Sequence, residues 1–102
     1  MAKYTVVTAR RVDQQLMRHI QFLSRVSVPA AKRFRNEYAD ILECLERNPL
    51  QFPLDTDPNL PDGLYHKALF ARWYKALFLI EADCVYLDAV VDCRQSIDSL
   101  EL

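Results

Sequence analysis

Hydrophobic and polar positions change period along the chain, and each change marks an element. Between Tyr4 and Ala9, Tyr4, Val6 and Thr8 alternate with Thr5, Val7 and Ala9 in a stretch rich in β-branched residues, which predicts a strand with both faces at least partly covered. From about Arg11 the period becomes helical: Val12, Leu16, Ile20 and Leu23 share one side, with Gln14, Gln15, Arg18, Gln21 and Arg25 on the other. Arg25–Pro29 interrupts it. Ser27 is placed to cap a second helix, and Pro29 fits that helix's first turn, where no intrahelical N–H bond is needed. Phe34, Tyr38, Ile41, Leu42 and Leu45 form its apolar stripe, Arg33/Glu37 and Glu43/Arg47 are i,i+4 pairs on more exposed faces, and Asn48-Pro49 stops it. Helices joined this tightly fold back as a hairpin, and each needs a sheet to pack against.

Residues 48–64 hold four of the five prolines and the only glycine, and so predict an irregular connection with turns at Asp57-Pro58 and Asp62-Gly63. Such a length is unusual in a compact domain, and Leu50, Phe52 and Leu54 are the residues expected to anchor it. Beyond it, Tyr65–Phe70, Trp73–Glu81 and Cys84–Asp92 read as three strands of an antiparallel meander, broken at Ala71-Arg72 and Ala82-Asp83. The fold class is α+β: one domain over residues 1–102, ordered β-α-α-β-β-β, with an antiparallel sheet packed on the helical hairpin and a tail at 95–102. Parity predicts that Val85, Leu87, Ala89 and Val91 pack on Phe34, Tyr38, Ile41 and Leu45, with Val12, Leu16 and Ile20 completing the core. It leaves Tyr86, Asp88, Val90 and Asp92 on the open face.

The composition, 51% hydrophobic and 26% charged, excludes a disordered charged tail, and a net charge of -1 argues against tight phosphate-driven binding to nucleic acid. The charge is nevertheless uneven. Residues 1–47 carry nine basic against five acidic side chains, for +4, and residues 48–102 carry four against nine, for -5. Apolar runs are strand-sized, so no membrane span is expected, and the opening Met1-Ala2-Lys3-Tyr4 lacks a signal-peptide pattern, which makes the cytoplasm the expected compartment. Cys44, Cys84 and Cys93 fit neither a disulfide framework nor a metal knuckle. Asp55, Asp57 and Asp62 fail the calcium-loop spacing and read as a solvated acidic loop, so no metal or cofactor is expected.

A ribonuclease needs a base for the 2′-hydroxyl, an acid for the leaving oxygen and cations for charge developing on phosphorus. His66 is the candidate acid or base, Tyr65, Tyr74 or Tyr86 are possible donors, and Lys67, Lys75, Arg72 and Arg94 are the available cations. Their convergence depends on one turn. A two-residue connection at Ala71-Arg72 puts Lys67 and Lys75 on opposite faces of the sheet, whereas a bulged or three-residue connection puts them on the same face.

Tyr74-Lys75-Ala76-Leu77-Phe78-Leu79-Ile80-Glu81, a two-residue turn, and then Cys84-Val85-Tyr86-Leu87-Asp88-Ala89-Val90-Val91-Asp92-Cys93-Arg94-Gln95 together resemble the C-terminal strand pair and Arg segment of the RelE/ParE family. These are the toxins of bacterial type II toxin-antitoxin, or plasmid stabilisation, modules. In element order the resemblance covers nearly the whole chain. In the RelE-like branch it implies a ribosome-dependent mRNA endoribonuclease with Lys and Arg on the sheet and a Tyr near the C-terminus; in the ParE-like branch it implies a toxin of DNA gyrase without that constellation. Lys67 and Arg72 match the basic neighbourhood, and Arg94 matches the Arg after the last strand, but no tyrosine follows Arg94. The resemblance therefore implies a ParE-like toxin neutralised by a cognate antitoxin, with operator DNA contacted only through that antitoxin. The ribonuclease and a non-toxic protein-interaction module are the alternatives. Phe52, Leu54, Tyr86, Asp88 and Asp92 are the candidate antitoxin contacts, the two aspartates suiting a basic segment.

Overall fold

The computed structural model describes residues 3–94. Thr5–Thr8 (β1), Arg10–Val26 (α1), Val28–Arg47 (α2), a 3-10 turn at Pro49–Gln51, His66–Phe70 (β2), Tyr74–Glu81 (β3) and Cys84–Asp92 (β4) follow one another in the expected order. Ser27 alone separates the helices. Its backbone is extended, and its hydroxyl accepts the Ala30 N–H at 3.3 Å, so one residue ends α1 and caps α2.

The sheet order is β1-β4-β3-β2, with β1 parallel to β4 and the other pairs antiparallel. The helical hairpin carries the chain from one edge of the sheet to the other and lies across one face. Val12, Phe34, Ile41 and Leu45 pack there on Ala68, Phe70, Tyr74, Ala76, Phe78, Val85, Leu87 and Val90. Edge-on contacts of Phe34 with Tyr74, at 4.8 Å between centroids, add ring geometry to area burial. β1 is less covered than its alternation predicts. Val6 is half-buried, while Thr5, Val7 and Thr8 are exposed on the edge strand.

Two irregularities decide which side chains share a face. Phe70 pairs with Tyr74, so the β2–β3 connection is Ala71-Arg72-Trp73, three residues long, and Lys67 and Lys75 project from the same face. Ala71 and Arg72 both have positive φ, 47° and 71°, which is costly for residues with a Cβ. Glu37 of α2 offsets that cost: one carboxylate oxygen accepts the Ala71 N–H at 2.9 Å and the other takes Arg33 Nε. The Arg33/Glu37 pair thus braces a turn as well as a helix surface.

The second irregularity lies in β4. Leu77 pairs with Ala89 and Phe78 with Leu87, leaving Asp88 as an extra residue in a β-bulge. Past it the parity inverts. Val85 and Leu87 face the helices as expected, but Ala89 and Val91 join a cluster on the opposite face, and Val90 and Asp92 turn toward the helices.

That opposite face is not bare. Leu60, Tyr65, Leu77 and Ala89 are buried together, with Leu79 and Val91 packed against them. The 48–64 connection supplies Leu60 and also follows the free edge of β2: the Asp55 N–H donates to Tyr65 O at 2.8 Å and the Lys67 N–H to Pro53 O at 2.9 Å. Of the three expected anchors, Phe52 packs edge-on against Phe78, whereas Leu50 and Leu54 stay exposed. Leu60, which is not among those three, is the buried leucine of the connection. Among the described residues, no helix is long and apolar enough to cross a membrane.

Candidate functional site

The three-residue connection brings Lys67 and Lys75 to one face, but an aspartate meets one of them. Asp55, only 5% exposed, lies with its Oδ2 2.5 Å from Lys75 Nζ, and Lys75 itself is 9% exposed. Asp55 also accepts the Asp57 N–H at 2.9 Å, so its carboxylate organises the turn that brings it there. Burial pushes the Asp55 carboxyl up. The Lys75 hydrogen bond, the Asp57 amide and the charges of Lys75 and Lys67 together outweigh burial and hold it below the usual carboxylate range. The solvated acidic loop expected at this position is therefore corrected: Asp55 is a buried ion-pair partner, because the connection folds along β2 instead of standing off it.

His66 belongs to the other face. It pairs with Phe78 across β2–β3, its ring stacks on the Phe78 ring at 5.4 Å, and Nδ1 lies 2.8 Å from Phe52 O. A carbonyl only accepts, so Nδ1 carries the proton and donates. This geometry ties the connection to the sheet and points His66 away from Lys67 and Lys75. Leu54 bridges His66 from the outer edge. On β4, Tyr86 is half-buried, and the bulged Asp88 accepts the Tyr65 hydroxyl at 2.6 Å. Burial and that bond push the Tyr65 phenol up to about 12, so it stays protonated.

Arg72 and Arg94 meet at Trp73, their guanidinium carbons 4.9 Å and 5.1 Å from its ring centroid. Arg94 is also committed to Asp92, with Nη2 2.7 Å from Oδ2 and Nε 3.0 Å from Oδ1. The bulge puts Asp92 on the helix side, not on the open face where unbroken parity expects it. There Arg18, His19, Phe22, Tyr74, Asp92 and Arg94 line a cavity of about 450 Å³. The hydrophobic pattern does not gather this group: it sets Arg18 on the polar side of α1 and Asp92 on the open face, and leaves Tyr74 as one possible donor among three. The one available signal was Asp88, a polar residue interrupting an apolar strand, which marks the bulge.

His19 Nε2 donates to Val90 O at 2.9 Å, and its ring lies edge-on to Tyr74 at 4.8 Å. Burial lowers its pKa from the ordinary 6.5, against the opposing influence of the Val90 carbonyl and the Asp92 charge, with Arg18 adding to the lowering. The unfolded chain therefore binds this proton more readily. The stability due to neutral His19 is complete above 6.5 and is lost as pH falls through the lower folded value. Urea midpoints measured from about pH 7.5 down to pH 5 should fall in the native chain and stay flatter in His19→Gln, whose amide can still donate to Val90. Identical slopes would contradict this assignment.

Among the described residues, no group of three His, Cys, Asp or Glu side chains is gathered to hold a metal ion. No family model matches the chain. No curated protein matches it either. A chain in the solved structure of the chromosomal ParDE TA system from P. aeruginosa is similar, with a TM-score of 0.67 and 12% identity, covering 87% of this chain and 95% of that one. At that identity the likeness is one of architecture: the chain has the fold of a ParDE toxin-antitoxin component, the RelE/ParE fold that the Tyr74–Gln95 segment resembles.

Proposed function

We propose that the chain is the toxin component of a type II toxin-antitoxin module, ParE-like in that it acts on DNA gyrase rather than as a ribonuclease, and that a cognate antitoxin neutralises it. The fold it shares with a chain of the ParDE system supports the module. The observation that carries the choice of branch is the dispersal of the ribonuclease candidates. Lys75 is bound to Asp55, Arg94 is bound to Asp92, and His66 faces away from both lysines. A phosphodiester on the Lys67 face would meet Lys67, which makes no ion pair among the described residues, but Lys75 beside it is already held by Asp55 and His66 points to the opposite face. Charge stabilisation and proton transfer at one phosphorus need those groups within hydrogen-bond reach of it.

Two assays on the same expressed chain separate the branches. Supercoiling by purified gyrase should be inhibited, and the inhibition should be relieved by the protein encoded in the adjacent short reading frame. Primer extension on RNA from expressing cells should show no new cleavage ends. Discrete ends that vanish in Arg94→Ala would replace this reading with the ribonuclease. Absence of both activities, with no growth arrest, would favour the non-toxic interaction module.

A further inference from the structure

At the turn of the helical hairpin, Phe22 and Val26 of α1 and Pro29 of α2 face Trp73 and Tyr74 across a groove of about 490 Å³. It adjoins the His19 cavity, with which it shares Phe22, Tyr74 and Arg94. Val26 is 67% exposed and Trp73 41%, and Phe22 is also exposed, so a contiguous apolar surface stands open to solvent. The charges around it are mostly of one sign. Arg33, Arg72 and Arg94 line the groove and Arg18 lines the adjoining cavity. The nearby acids are already bound: Asp92 to Arg94, and Glu37 to Arg33 and the Ala71 amide. Arg18 and Arg72 make no ion pair among the described residues.

We infer that this groove seats an acidic, amphipathic segment of a protein partner, with apolar side chains between Phe22, Val26 and Trp73 and carboxylates on Arg18 and Arg72. An apolar floor with a cationic rim selects both properties together: burial on the floor supplies affinity, and the rim sets orientation and rejects a basic segment. Nucleic acid fits poorly, because the Val26, Pro29 and Ala30 part of the lining offers no donors to phosphates. The partner's sign is opposite to the one that open-face aspartates imply, since Asp88 is held by Tyr65 and Asp92 by Arg94. Naming the antitoxin as the carrier of this segment rests on the function proposed above; the groove's preference does not.

Trp73 is the chain's only tryptophan, so its fluorescence reports on the groove directly. The full chain would be titrated with a synthetic helical peptide bearing Leu at i, i+3, i+4 and i+7 with Glu between them, with a twin carrying Lys in place of Glu, and with a short single-stranded RNA. The Glu peptide should shift Trp73 emission to the blue and bind at least about tenfold more tightly than its twin. Arg18→Glu/Arg72→Glu should reverse that order, Val26→Glu should abolish the shift, and Leu69→Glu, an exposed position on the Lys67 face, should change neither. All of these substitutions are at exposed positions, and circular dichroism checks that each variant folds. Equal or better binding of the Lys peptide, indifference to the arginine reversals, or displacement of the Glu peptide by the RNA would overturn the inference.

Residues 95–102 carry Asp98 and Glu101 among Ile97, Leu100 and Leu102, the same chemistry in this chain's own sequence. A chain ending at Arg94 is therefore a required arm, and a red shift of Trp73 emission on that truncation alone would assign the groove to this segment instead of a partner. Binding of the adjacent gene's product that ignores the groove variants overturns this inference and spares the proposed function. Groove-dependent binding of the Glu peptide without any binding of that product does the reverse.

Discussion

Asp55→Ala should cost this domain about 3 kcal/mol, toward the lower end of what breaking a buried ion pair costs, because the lysine stem can carry part of its charge toward solvent. The substitution leaves Lys75, 9% exposed, without its counter-charge and removes the acceptor of the Asp57 N–H. Against a typical total of roughly 5 to 15 kcal/mol for a folded domain, that is a large loss. Asp55→Asn combined with Lys75→Met should recover most of it. Asn keeps an oxygen for the Asp57 amide, and Met fills the lysine's path without a charge to desolvate. Acid gives the same reading by another route. Because the folded Asp55 carboxyl is held below its ordinary 3.8, the pair's contribution is complete above that value and is lost as pH falls through the lower folded one. The double variant should lack this part of the acid limb. A loss below about 1 kcal/mol in Asp55→Ala would show that the pair is solvated in solution and that Lys75 is available on the Lys67 face.

The elements and their order were legible because their signals are local. The Val12–Leu23 stripe, the Ser27 cap and the β-branched meander each announce themselves within a few residues. The site was less legible because it depends on two single-residue offsets that the hydrophobic pattern does not record. Ala71-Arg72 carries no glycine or asparagine to announce a left-handed turn, and its conformation is braced from α2 by Glu37, far away in sequence. The Asp88 bulge inverts the parity of Ala89, Val90, Val91 and Asp92, so a correct strand still yields the wrong faces beyond that point. The same offset moves Asp92 from the sheet's far face to the His19 cavity and changes the partner's inferred charge. The tail after Arg94, expected at 95–102, lies outside the described residues.

Leucine-to-alanine changes on the two faces of the sheet test the layering itself. Leu87 and Leu77 are both fully buried, Leu87 beneath the helical hairpin and Leu77 beneath the 48–64 connection with Leu60 and Tyr65. If the connection is a true second layer, Leu77→Ala should cost about as much as Leu87→Ala, roughly 2 to 5 kcal/mol each, from lost transfer energy plus the cavity left behind. A sheet covered on one side alone would lose far less at Leu77, on the order of 1 kcal/mol or below, because a mobile loop collapses into the space that a smaller side chain leaves. Urea titrations of the two variants with equal slopes would give the comparison directly. Leu60→Ala should then be smaller than Leu77→Ala but couple to it, the double variant costing less than the two singles together, since both truncations open the same contact. A Leu77→Ala loss below about 1 kcal/mol beside a large Leu87→Ala loss would return the Lys67 face to solvent, and with it the Asp55 carboxylate that the connection places on Lys75.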